Sequence, residues 1–241
     1  MLINPIQEQK VTPILIDQTY IKHQQHIKIL GITLSSDLNF DEHLVKGETN
    51  MVKKISSKIG LLRTIKPHLP QKAMGMIANN LDNSTIQYGA PIWSTTTQRN
   101  VDMIQKAQIK AARFILSVKW AKGKKKVHRQ QMLDKLNWKN VQQLLDSASM
   151  NLVKRSLKGK SSYAINSMFS QATQRFPRGQ ITTSIIHNGN IQRKNTNFSA
   201  LATQNFNSLP PELRDPKLTC TQFKTAFNLH IRTVRRLVQH W

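Results

Sequence analysis

Apolar positions along this chain recur first at the period of a strand and then, for most of its length, at the period of a helix. Ile14-Leu15-Ile16 behind Pro13 reads as one strand. Ile27, Ile29 and Gly31-Ile32-Thr33-Leu34 read as a second β-rich run. Gly31 inside that run predicts a bulge or a close backbone approach. From about Asp41 to Lys66 the period is helical, and Leu44, Met51, Ile55, Ile59 and Leu62 build one stripe. Pro67 and Pro70 stop that helix. A second helix is predicted from Gln71 to Leu81, with Met74, Ile77 and Leu81 inward. The segment Ile86 to Trp93 is aromatic-rich and ends in a turn. A third helix is predicted from Gln98 to Val118, burying Val101, Ile104, Ala107 or Gln108, Ala111 and Ile115. Three helices with short joints make a small bundle.

Beyond Val118 the pattern breaks. Lys119 to Arg129 holds six Lys/Arg, one Gly and no acid, and reads as a solvated linker. Helices are predicted again at Gln130–Leu136 and Val141–Leu157. Residues 170–197 are polar and turn-rich, with one strand at Ile181–Ile186. Ser208-Leu209-Pro210-Pro211-Glu212-Leu213-Arg214 is a rigid turn, because two prolines fix φ. A last helix follows Thr219 or Thr221 as N-cap, with Phe223, Phe227, Ile231, Val234 and Val238 on its stripe. The predicted fold is mainly α: a short β edge at the N-terminus, a three-helix bundle and a helical C-terminal region.

Charge changes the picture most. The 241 residues carry 36 Lys+Arg against 12 Asp+Glu, a formal net charge of +24. Residues 1–118 hold 14 basic and 8 acidic side chains, and residues 119–241 hold 22 and 4. A body this cationic repels itself unless a polyanion neutralises it, and nucleic acid is the usual one. The one cysteine, Cys220, excludes an intramolecular disulfide and a cysteine-rich zinc site, and no disulfide-linked partner is expected. No apolar run approaches the ~18 residues of a membrane span, so no membrane partner is expected. The N-terminus lacks a secretory apolar core, and an intracellular location, nucleus or cytoplasm, is expected.

Several segments together resemble one family. Ile27-Lys28-Ile29-Leu30-Gly31-Ile32-Thr33-Leu34, then Leu38, Phe40 and His43, resembles the Leu-Gly segment closing the palm of non-LTR, LINE-type and jockey-like retrotransposon reverse transcriptases. Tyr88-Gly89-Ala90-Pro91-Ile92-Trp93 is similar to their Tyr-Gly…Trp segment. Ile104 to Ile115 is similar to their Gln…Ala-Ala-Arg helix, and Leu136-Asn137-Trp138 to their Leu-x-Trp turn. Phe206-Asn207-Ser208-Leu209-Pro210-Pro211-Glu212-Leu213-Arg214, then Phe223-Lys224, resembles their Trp-Asn-x-Leu-Pro…Phe-Lys tail, with Phe206 in place of Trp. The five stand in the family's order over residues 11–231.

The resemblance implies a C-terminal piece of an RNA-directed DNA polymerase. Residues 1–39 would be a palm β edge with a primer-grip-like turn, 40–118 a thumb-like bundle, 119–129 a basic linker and 130–241 a post-thumb helical region. The family polymerises with Mg²⁺ held by palm aspartates. This chain has no Asp-Asp pair, and its adjacent acids are Asp41-Glu42 at a helix start. Two-metal phosphoryl transfer needs converging carboxylates. No catalytic residue and no metal ligand is therefore assigned, and Mg²⁺ is expected only in a full-length polymerase. The expected partner is nucleic acid, RNA or an RNA/DNA hybrid. The alternative is a domesticated, non-enzymatic RNA-binding or adaptor protein.

Candidate contacts follow. Lys28 to Gly31 resembles the primer-grip turn, whose glycine permits close approach to a sugar-phosphate; a hairpin with a bulge glycine is the other reading. Lys53, Lys54, Lys58 and Arg63 lie off the first bundle stripe, where they face either phosphates or only solvent. Arg113 either reaches phosphate or pairs with an acid such as Asp102. Lys119, Trp120, Lys122, Lys124, Lys125, Lys126 and Arg129 form a basic run with one aromatic, fit for phosphates and a stacked base, or for nuclear import. His23, His26 and His43 lack a suitably spaced third ligand for a metal. Trp93 and Trp138 read as core anchors.

Overall fold

The computed structural model describes residues 14–17, 19–21, 24–37, 39–118, 126–175, 181–187 and 198–238. The protein is mainly helical, with a small antiparallel β edge near its start, as the periodicity predicts. Two compact units form. One comprises Met1–Gly89 with Thr96–Val141, the other Ala90–Thr95 with Gln142–Trp241.

In the first unit, β1 (Ile14–Ile16) pairs with β2 (Thr19–Ile21) and β3 (His26–Ile29) with β4 (Ile32–Ser35). Ile29 faces Ile32 across the second pair, so Leu30 and Gly31 are a two-residue turn. Both take positive φ, 47° and 81°. That is the type I′ hairpin turn, whose twist matches its strands. Gly31 therefore sits in a turn and not in a bulge, the first of the two readings its position inside an apolar run offers.

The helix predicted over Asp41–Lys66 is two pieces. A π-helical turn at Glu42–Lys46 ends at Gly47, and α1 runs Met51–Ile65. Asn50 makes the joint. Its Oδ1 accepts from Lys53 N at 2.8 Å, while its Nδ2 donates to Val45 O at 2.6 Å and Gly47 O at 2.8 Å. One buried side chain thus ends one element and caps the next. The stripe conceals this break because Leu44 and Met51, seven residues apart, both remain buried across it. Asn50→Ala is expected to cost about 1–2 kcal/mol of stability in urea unfolding; a loss under about 0.5 kcal/mol would show the joint is held by packing alone.

Met51, Ile55, Ile59 and Leu62 are buried as predicted. Helix α2 (Gln71–Gln87) runs six residues past its predicted end at Leu81. Its buried face is Met74, Gly75, Ala78, Asp82 and Ile86, and Ile77 is 36 % exposed, contrary to the inward position its apolarity predicts. Helix α3 (Ala90–Trp93) is a single turn and belongs to the second unit. Helix α4 (Gln98–Ile115) buries Val101, Ile104, Ala107, Gln108, Ala111 and Ile115. It stops short of Val118, with Ser117 at a positive φ of 53°. Helix α1 packs on α2 and α4, and α4 on α5 (Lys126–Lys135). Helix α5 begins inside the predicted linker, so Lys126 to Arg129 are helical. Met132, Leu133 and Trp138 join Ile59, Leu62, Met74, Ile109 and Ile115 in one core. Residues 130–141, grouped by periodicity with the C-terminal region, pack here instead.

The second unit is built on α6 (Val141–Leu157), α7 (Tyr163–Asn166), the antiparallel pair β5 (Phe169–Arg175) and β6 (Ile181–His187), α8 (Phe198–Asn207) and α9 (Cys220–Val238). Two of these differ from the sequence pattern. Strand β5 reads Phe-Ser-Gln-Ala-Thr-Gln-Arg, with no apolar alternation, so only its partner shows in the sequence. Helix α8 is short and shows one i, i+4 apolar series, Phe198, Ala202 and Phe206. Met150, Val153, Phe169, Ala202, Phe206, Leu209, Leu213, Phe223 and Phe227 form the core. Phe223 stacks on Phe227 with centroids 5.6 Å apart. Thr219 caps α9: its Oγ1 accepts from Gln222 N at 3.2 Å, and Gln222 Oε1 accepts from Thr219 N at 2.9 Å. This is a reciprocal capping box. Among the described residues, no helix is long and apolar enough to cross a membrane.

Candidate nucleic-acid interface

Three of the predicted cations, Lys28, Lys53 and Lys54, stand exposed on the β3–β4 hairpin and the start of α1. Lys28 stands exposed on β3, paired in register with Thr33. Thr33 N donates to His43 Nδ1 at 3.4 Å. His43 is 5 % exposed, and its proton affinity is lowered by burial first, then by the charges of Lys54 and Lys28. Both charges, from separate elements, act on one buried imidazole. Lys53 and Lys54 occupy the first turn of α1, which holds no acidic residue. Cations there oppose the positive end of the helix dipole, a local arrangement that costs stability. The same arrangement concentrates positive potential where anions are attracted.

The tip of the hairpin is pinned. Tyr88 Oη donates to Leu30 O at 2.5 Å. A Cβ built on Gly31 would meet Tyr88 Cε1 at 3.8 Å, ordinary contact, so glycine is needed for its φ and not for space. The tip leaves Leu30 85 % exposed. Sequence reasoning missed the part of Tyr88, because 58 residues separate it from its acceptor.

Other predicted contacts have different surroundings. Lys58 is half-buried, and its ammonium donates to Leu81 O at 2.6 Å and to Thr85 Oγ1. Burial lowers its proton affinity, with Asp82 acting against this. Lys58 thus ties α1 to α2. Arg63 is exposed at one edge and lies 5.9 Å from the centroid of Phe114. Lys66, which the sequence does not single out, lies 4.5 Å from the same centroid and donates to Phe114 O at 3.0 Å. Arg113 is half-buried in the last turn of α4, where a cation suits the helix dipole. Its suggested partner Asp102 lies eleven residues away on that same helix, about 16 Å along the axis, too far to pair. Asp102 accepts from Gln98 Nε2 at 3.0 Å instead. Lys119, Trp120, Lys122, Lys124 and Lys125 lie outside the described residues, as does the side chain of Lys126. Arg129 is exposed on α5. Trp93 and Trp138 are buried, with 0 % and 1 % exposure.

The described residues hold no group of three or more His, Cys, Asp or Glu placed to ligate an ion. Of the adjacent acids, Asp41 already has partners. Asp41 binds Lys46 at 2.8 Å and accepts from Asn100 Nδ2 at 2.8 Å, and both contacts keep its pKa low. What the arrangement offers chemically is phosphate attraction by Lys28, Lys53 and Lys54. No protein-family model, no curated protein and no solved structure matches this chain.

Proposed function

We propose that this chain is the thumb-side part of a retroelement-type reverse transcriptase that grips template–primer or RNA and supplies no catalytic carboxylate of its own. The observation that carries the reading is the acid-free first turn of α1, where Lys53 and Lys54 stand exposed, together with Lys28 exposed on β3, whose charge acts on the same buried His43 as that of Lys54. Supporting it are the order of the five family-like segments and the net charge of +24. In this reading Lys28, Lys53 and Lys54 contact the sugar-phosphate backbone, and the basic run at Lys119–Arg129 adds further phosphates. The Mg²⁺-binding aspartates belong to a palm outside these residues.

Salt titration of binding to an RNA/DNA hybrid tests it. With about six phosphates engaged, log K is expected to fall against log salt with a slope near −5. Lys53→Glu with Lys54→Glu is expected to flatten that slope. Reversal across Lys122–Lys126 is expected to flatten it more if the basic run is the main contact. A flat response in the parent chain would end the electrostatic argument. Tight binding of one defined RNA, with hybrids bound no better than single strands, would instead favour a domesticated RNA-binding or adaptor protein.

A further inference from the structure

A second cationic surface lies in the other unit, at the corner where α6 ends and α7 begins. Lys154, Arg155, Lys158 and Lys160 fall within seven residues, and no Asp or Glu occurs between Asp146 and Glu212. The corner is built by a dense set of bonds. Gly159 takes φ 65°, Gly159 N donates to Ser156 O and Lys160 N to Arg155 O, both at 2.8 Å. This closes α6 with a left-handed cap. The Arg155 guanidinium donates to Lys160 O at 3.2 Å, Ser156 Oγ to Ile165 O at 3.1 Å and Asn166 Nδ2 to Ser161 O at 3.1 Å. Lys154 Nζ donates to Asp215 O at 2.9 Å and Lys158 Nζ to Pro216 O at 2.6 Å. At this fixed corner Tyr163, the first residue of α7, is 88 % exposed.

We propose that this corner binds single-stranded nucleic acid, with the Tyr163 ring as a stacking platform for one base and Arg155, Lys158 and Lys160 on the flanking phosphates. An aromatic ring held in water on a braced backbone loses little further freedom when a base covers it. Every base has a π-face, so such stacking tolerates any sequence. An ammonium has three donors. Lys158 spends one on Pro216 O and keeps two for phosphate oxygens. Behind it, Lys154 is 2 % exposed, and burial first, then the charge of Lys158, lower its pKa to about 8, with Asp215 and Cys220 acting against this. A phosphate at Lys158 offsets that repulsion. The site shares no residue with Lys28, Lys53 and Lys54 and is tested apart from them.

Fluorescence anisotropy with a short labelled oligo(U) and an abasic strand of equal length tests the proposal. Tyr163→Ala is expected to weaken oligo(U) binding at least about fivefold. Tyr163→Phe should restore it, and the abasic strand should bind all three proteins alike. Lys158→Ala with Lys160→Ala should lower the salt slope by about 1.4. Tyr163 and Lys160 are exposed, Lys158 is exposed but gives up its bond to Pro216 O, and unchanged thermal melts will show that the variants fold. Oligo(U) affinity that ignores the loss of the ring would overturn the proposal. So would binding of phosphatidylserine vesicles through Lys158 and Lys160 with no measurable affinity for oligo(U). Tyr163-dependent binding of oligo(U) by a chain that ignores hybrids would sink the thumb-side reading and leave this site standing.

Discussion

Trp138→Ala is expected to lower the unfolding free energy by about 3–5 kcal/mol. The reason begins with the backbone. Asn137 takes φ 55°, and Trp138 N donates to Leu133 O at 2.8 Å. This is the left-handed helix end that an asparagine tolerates. It turns the indole into the bundle core beside Met74, Ala78 and Ile109, where the ring is 1 % exposed. Nε1 donates to Gly75 O at 3.3 Å. Truncation removes the largest side chain that joins residues 126–141 to α2 and leaves a cavity that close-packed neighbours fill only in part. Trp138→Phe keeps most of the volume and is expected to lose less. Urea unfolding followed by far-ultraviolet circular dichroism measures both variants. A loss below about 1 kcal/mol for the alanine variant would show that the segment is anchored elsewhere.

Asp82 is expected to make the protein less stable as pH rises. The residue is 1 % exposed on the buried face of α2, and neither carboxylate oxygen has a hydrogen-bond partner. Burial pushes its pKa from 3.8 up to about 7, against the pull of Lys58. The unfolded chain releases this proton near pH 4 and the folded chain near pH 7. Between those values the unfolded state gains stability that the folded state does not. The contribution is therefore fully present below pH 4 and is lost as pH rises through 7, a change of about 4 kcal/mol. Asp82→Asn removes the titration. Urea unfolding at pH 4 and pH 8 should show the difference between parent and variant shifting by that amount in the variant's favour. Parallel pH curves for the two proteins would mean that Asp82 reaches solvent or a partner when it ionises.

Much of the first unit is legible in the chain itself. The stripes of α1 and α4 are buried at the positions their periods mark, because a wide apolar face has one stable use. Thr219, one of the two N-caps the sequence offers for α9, is the one used, and Gln222 completes a local capping box with it. Misreadings occur where local and long-range causes compete. Ile77 is apolar and exposed while Asp82 is buried on the same helix, so hydropathy misplaces part of the inner face of α2. The break at Asn50 escapes notice because both sides of it bury the same stripe. Strand β5 has no alternation to read, and β6 supplies its hydrogen bonds. The three cations at β3 and α1 were each visible as candidates, and so was Lys58. Their different surroundings were not, because Leu81 and Thr85 lie 23 and 27 residues from Lys58.

By itself, then, the order of residues determined most of the longer helices, the cap of the last one, which side of most helices is apolar, and how much positive charge must be accommodated. Those properties depend on neighbours within a few positions, or on composition alone. Only the tertiary arrangement decided which cations stay in solvent and which bind protein carbonyls, which carboxylate is buried without a partner, and which tyrosine meets water. Such outcomes depend on an element arriving from far along the chain to cover a face, and no local period encodes that arrival.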